Sequence, residues 1–143
     1  MCIRDSIRAA ETGHLVLSTL HTVDAAQSID RIIDIFPPSQ QRQVRLQLSQ
    51  VIEAVLSQTL LPRIGGGRIA AFEIMLATSV VRRLIRDEKI FEIPVNIEMG
   101  SREGAQTMDQ ALAGLVRRNI VTLEEAVMKS SNPAKLNQWL HHS

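Results

Sequence analysis

The sequence predicts an α/β protein in which strands, helices and a β-hairpin come first and a helical region follows. Three observations carry that expectation. The short apolar run Leu15 to Leu20 lies between Gly13 and the polar corner His21-Thr22-Asp24, and a helical pattern begins directly after it. Two strand-like stretches flank Gly65-Gly66-Gly67. From Thr78 onward the chain breaks into short segments that open on capping residues.

Each element has its own signal. Ile7 to Thr12 reads as the last turns of a helix stopped at Gly13, whereas Met1 to Ser6 shows no periodicity and is expected to be a non-native leader. Leu15 to Leu20 has the length and composition of a buried strand in a parallel sheet. Ala25, Ile29, Ile32, Ile33 and Phe36 recur at helical spacing, which predicts a helix from about Asp24. Pro37-Pro38 ends that pattern, and Ser39 is placed to cap the next helix. Gln40 to Leu56 carries Val44, Leu48, Val51, Ile52, Val55 and Leu56 on one face, so an amphipathic helix is expected over the whole stretch.

The segments 58–64 and 68–75, separated by three glycines, predict a β-hairpin with Pro62 at an edge or bulge. Ser79 is the expected cap of a helix over Val80 to Arg86, with Val81, Leu84 and Ile85 inward. Pro94 leaves Asp87 to Met99 ambiguous, and Gly100 to Gly104 reads as a connector. Thr107 to Gln110 and Thr122 to Glu125 have the capping-box pattern. Ser130 to Pro133 opens a last helix that reaches Trp139.

Composition narrows the function. The net charge is +1 and aromatics make up 3% of the 143 residues, so no strongly charged partner is implied and stacking platforms for nucleic acid have little to be built from. A helix-turn-helix at 107–129 would begin its second helix with Glu124 and Glu125, which repel phosphates. No nucleic-acid partner is expected. The single cysteine rules out an internal disulfide and a multi-thiolate zinc site, and fits a reducing cytoplasm. No apolar run approaches the roughly 20 residues of a membrane span, so no membrane insertion is expected.

The candidate chemistry sits at the ends of the apolar run. Ligands of open α/β sheets bind beyond the carboxyl ends of strands, which places His21 and Thr22 where a phosphate would lie. His14 and His21 equally fit a plainer role, each hydrogen-bonding a backbone carbonyl. A metal reading lacks further ligands, because the other histidines are His141 and His142, so no metal site is expected. Gly65 to Gly67 precedes a second strand-like run and not a helix with Lys and Ser or Thr, so it reads as a hairpin turn and not a phosphate loop. No Walker A sequence occurs, and no apolar run ends in the acidic pair of a Walker B strand. Arg82, Arg83, Arg86 and Lys89 form a basic cluster, either a solvated face or a surface for an acidic neighbour.

Several of these residues together carry a resemblance. Thr12-Gly13-His14-Leu15-Val16-Leu17-Ser18-Thr19-Leu20-His21-Thr22 resembles the His box of the secretion-type ATPase superfamily, hexameric RecA-like P-loop motors. Gly65 to Met75 is similar to its retraction-motor branch, the PilT family, and Gln106 to Asp109 also fits. Val80 to Arg86 resembles that family's Ala-Ile-Arg-Asn-Leu-Ile-Arg-Glu motif, associated with retraction, with Val80 in place of Ala and Arg83 in place of Asn.

The resemblance implies the C-terminal part of a RecA-like core at about 7–78 and a helical region at 79–143. The implied parent is a homo-hexamer that hydrolyses ATP with Mg2+. It works at the cytoplasmic face of the inner membrane, against the pilus platform protein, to drive retraction and twitching motility. His21 and His14 carry over as the His-box pair in sensing or coupling, with His21 and Thr22 nearest the nucleotide. Arg82, Leu84, Ile85 and Arg86 carry over as the retraction motif. The Walker A loop, Asp box and Walker B strand are expected upstream of Ile7, so the chain alone is expected to be inactive and to bind nucleotide poorly. The alternative is a naturally short, non-enzymatic module that docks onto a complete motor.

Overall fold

A computed structural model describes residues 3–141. Helix α1 covers Ile3–Glu11, α2 Ala25–Asp34 and α3 Pro38–Val51. Strands β1 (Ala54–Pro62) and β2 (Arg68–Leu76) follow, then α4 (Ser79–Arg86). A 3-10 turn at Ile90–Glu92 leads into α5 (Ile93–Met99), and another at Gly100–Glu103 leads towards α6 (Met108–Arg117), α7 (Leu123–Lys129) and α8 (Pro133–His141). The expected α/β architecture with a helical C-terminal region is what the chain adopts. Met1, which the sequence places in a leader, lies outside the described residues, while Ile3 to Ser6 form the first turn of α1.

The hairpin is the spine of the molecule. β1 and β2 pair antiparallel from Ala54↔Leu76 to Pro62↔Arg68, and the connection uses Gly65, Gly66 and Gly67 at φ of 89°, 106° and 78°. Those left-handed values are open to glycine at little cost, and a side chain there would be strained. The outer edge of β2 is covered where Ile74 and Gln106 exchange backbone hydrogen bonds of 2.8 and 3.1 Å. Side chains alternate across the ribbon, so Val55, Ser57, Thr59 and Leu61 share one face with Ile69, Ala71, Glu73 and Met75.

That face meets two apolar clusters. Met75, with Val55 packed beside it, joins Ile29, Ile33, Val44, Leu48, Leu84, Ile85 and Ile93 in a core built by α1 to α5. Leu61 and Ala71, nearer the hairpin tip, join Leu112, Ala113, Val121, Ala126 and Leu136 in a core built by α6 to α8. The tip is held there by a 2.9 Å bond from the Ile64 amide to the Ile120 carbonyl.

Several boundaries differ from the expectation. The helix expected over Gln40 to Leu56 ends at Val51, and Val55 and Leu56 are strand residues. Their apolar spacing suits either state, and the ladder with Met75 and Ile74 decides in favour of strand. Ser39 is not a cap: Pro37 and Pro38 begin α3 with no side-chain cap, because a proline at the first turn has no amide to satisfy. Thr78 and not Ser79 caps α4, accepting from the Val81 amide. Pro94 sits in the first turn of α5, where it is tolerated. The Thr107 capping box forms in full with Gln110, and Thr122 accepts from the Glu125 amide.

Candidate functional site

The site begins at the C-terminal end of α1. Gly13 (φ 90°) turns the chain, and the His14 amide bonds the Ala9 carbonyl at 3.1 Å. The His14 ring follows: Nδ1 lies 3.2 Å from the same carbonyl and 3.1 Å from Thr12 Oγ1. The same carbonyl also accepts from the Thr12 amide at 3.2 Å and the Thr12 hydroxyl at 2.9 Å, so the ring joins a cluster of polar groups gathered at the end of α1. A hydrogen bond of this kind to a backbone carbonyl is the plainer of the two roles open to His14.

Residues 14–22 form neither helix nor strand, which corrects the expectation of a buried strand at Leu15 to Leu20. Leu15 is 85% exposed and Leu17 83%. A strand exists through its ladder, and among the described residues no backbone hydrogen bond joins 15–22 to a neighbour. β1 and β2 pair with one another and with Gln106, not with this run.

The polar corner is ordered more tightly. Asp24 caps α2, its carboxylate accepting from the Gln27 amide at 2.7 Å and from Gln27 Nε2 at 3.2 Å. The Ser28 hydroxyl donates to the Asp24 carbonyl at 2.9 Å, which leaves the Thr22 hydroxyl to donate to Ser28 Oγ at 2.6 Å. Thr22 thus has its proton committed inward, whereas the neighbouring His21 is exposed. One further group completes the corner. Glu73 Oε1, brought from β2, accepts from the Ala25 amide at 2.9 Å, and the residue is 9% exposed. Burial raises the Glu73 pKa; the amides of Ala25 and Met108 oppose the rise, and the charges of Asp24 and Asp109 add to it. Glu73 is not among the residues the sequence pattern singles out. Its signal was a carboxylate at an inward position of an otherwise apolar strand.

The expected retraction residues lie apart from this corner, on α4. Arg82 is not part of a solvated basic face. Its Nη1 donates to the carbonyls of Ser49 (3.1 Å) and Gln50 (2.8 Å), and its Nε to that of Ala77 (3.0 Å). Nη2 pairs with Glu53 at 2.9 Å. Leu84 and Ile85 are core residues, and Arg86 pairs at the surface with Asp87 at 3.4 Å. Arg83 and Lys89 are exposed. Among the described residues no group of three or more His, Cys, Asp or Glu side chains is arranged to hold a metal ion, and no helix is long and apolar enough to cross a membrane.

Residues 3–66 match the family model of the type II/IV secretion system protein. The chain is 47% identical to the type IV pilus retraction ATPase PilT of Pseudomonas aeruginosa over 131 residues, which is 92% of this chain and 38% of that protein. It is 44% identical to a twitching motility protein of Neisseria gonorrhoeae over 133 residues, 92% of this chain and 36% of the relative. Its fold superposes on a crystal structure of the pilus retraction motor PilT with bound ADP at a TM-score of 0.83 and 44% identity, covering 95% of this chain and 38% of the other. The chain belongs to the secretion-type ATPase family. Within that family it is PilT-like, and it spans little more than a third of the length of the relatives it matches.

Proposed function

We propose that this chain is the C-terminal part of the ATPase core of a type IV pilus retraction motor, with residues 79–143 as the helical region that follows the core. The observation that carries the reading is the 47% identity to PilT along 92% of the chain. In this reading the working unit is a homo-hexamer that hydrolyses ATP with Mg2+ at the cytoplasmic face of the inner membrane, engaged with the pilus platform protein. His21 senses the γ-phosphate at the corner before α2. Its exposure beside a firmly capped helix supports that role, since a ring that meets a phosphate must be accessible while its backbone is fixed. Thr22 serves the same site through the lone pairs of its oxygen, its proton being engaged with Ser28.

His14 takes the coupling role of the pair, anchored to α1. Arg82, Leu84, Ile85 and Arg86 serve retraction by holding α4 in place, so that movement at the nucleotide reaches the helical region as a rigid-body displacement. In a full-length protein carrying this segment, His21→Ala abolishes twitching motility and most ATP hydrolysis while nucleotide binding is retained. Hydrolysis at the parent rate would overturn the sensing role. The exposed run at Leu15 and Leu17 supports a place within a larger assembly, because such a surface is normally covered.

A further inference from the structure

The inward face of the hairpin is apolar at both ends and polar in the middle. Val55 and Met75 pair in the core of α1 to α5; Leu61 and Ile69 pair in the core of α6 to α8. Between them Ser57 stands directly opposite Glu73, and both are buried, at 5% and 9% exposure. Ser57 Oγ has no hydrogen-bond partner. A buried carboxylate between two apolar cores is unfavourable unless donors converge on it.

Two do. The Ala25 amide is the first of α2 and donates to Glu73 at 2.9 Å. The Met108 amide, the first of α6, also favours the charged form of this carboxylate. Both belong to the open donors of a helix start, where a carboxylate is favoured by the helix dipole. The strand residues on either side of Glu73 are fastened to the approach to α6: Gln106 Nε2 donates to the Phe72 carbonyl at 2.9 Å, and Ile74 exchanges backbone bonds with Gln106. Glu73 is therefore where the start of α2, which carries the His21 corner, is bonded to the part of β2 that is fastened to the approach to α6.

We infer that Glu73 is a positioning residue that ties the His21–Asp24 corner to the helical region, so that a displacement of one helix start is transmitted to the other. The inference rests on the proposed sensing role for its consequence in the motor, but the tie itself belongs to the ligand-free chain. It is measured there by amide hydrogen exchange at Ala25 and Met108, with the Leu48 amide in α3 as the internal standard for global opening.

Glu73→Gln lowers protection at Ala25 and Met108 together, by about tenfold at Ala25, where a charge-assisted bond is lost. Ser57→Ala, which removes an unpartnered hydroxyl, leaves both unmoved. The decisive comparison is at a distance. Thr107→Ala loosens the cap of α6 and lowers protection at Ala25 relative to Leu48, and that effect disappears in the Glu73→Gln background. The tie is overturned if Thr107→Ala leaves Ala25 unmoved, or if it acts on Ala25 equally with Glu73→Gln present. Should Glu73→Gln fail to fold, the Thr107→Ala measurement on the otherwise unchanged chain still decides. No nucleotide enters these measurements, so their failure removes the tie and leaves the hydrolysis test of His21 standing.

Discussion

Arg82 Nη1 reaches the carbonyl of Gln50 at 2.8 Å and closes the C-terminal end of α3 from the side of α4. Ser49 and Gln50 are among the last carbonyls of that helix, which have no acceptor role within it. One guanidinium thus satisfies two of them together with Ala77, at the junction where α3 gives way to β1.

Arg82→Ala is expected to destabilise the chain by about 1–3 kcal/mol, from the lost bonds to partly buried carbonyls. Glu53, whose side chain is largely exposed, contributes little to the pair, and Glu53→Ala is expected to cost about 0–1 kcal/mol. Urea denaturation of the two variants compares them directly. A larger loss for Glu53→Ala would mean that the ion pair, and not the carbonyl clamp, is the stabilising contact.

Ile85 and Arg86 set a buried residue beside an exposed one. Ile85 is fully buried, and Ile85→Ala should cost about 2–5 kcal/mol as a large-to-small change in a packed core. Arg86 touches Asp87 at the surface, and Arg86→Ala should stay within about 0.5 kcal/mol. Thermal denaturation checks both. A motility defect in Arg86→Ala at unchanged stability would then report on the motor and not on folding.

Glu73 gives the chain a defined pH dependence. Burial lifts its pKa above the ordinary 4.5, so the folded chain holds this proton more firmly than the unfolded one. The favourable contribution is complete below 4.5 and is lost as pH rises through the raised value. Relative to Glu73→Gln, the wild-type chain should therefore lose stability as pH rises across that window and then level off. Urea midpoints for both proteins over a pH series measure it, and a constant difference would show that the carboxyl is not held in its neutral form by burial.

The corner before α2 depends on its cap. Asp24→Ala removes the acceptor for the Gln27 amide and should cost about 1 kcal/mol, whereas Asp24→Asn should recover most of it. Circular dichroism during thermal unfolding reads the difference.

Leu15 and Leu17 are exposed, and exposed leucines of this kind favour self-association. Replacing both with lysine should raise the monomeric fraction in sedimentation or size-exclusion measurements without lowering the unfolding temperature. A lower temperature would mean that the two leucines pack within the chain.

What could be read in advance was local. The three glycines, the threonine caps of α6 and α7 and the apolar stripe of α2 each state their structure within a few residues, because turn and cap chemistry is short-range. What could not be read depends on distant neighbours. The run at Leu15 to Leu20 has a strand's composition but finds no ladder among the described residues. The stripe from Val44 to Leu56 is continuous in sequence, yet Val55 and Leu56 pair with Met75 and Ile74 across the hairpin. Arg82 looks like part of a charge cluster until the carbonyls of α3 are placed beside it. Glu73 is the clearest case: a single acid in Ala71-Phe72-Glu73-Ile74 takes its meaning from two helix starts that are remote in the chain.

Ala71 and Met75 are separated on the inward face of β2 by Glu73 alone, yet each is packed into a different apolar cluster. Neither cluster can melt without unzipping the strand that anchors the other. The expected result is one cooperative unfolding transition, with calorimetric and van't Hoff enthalpies in agreement, in a chain that otherwise has the makings of two separately melting units.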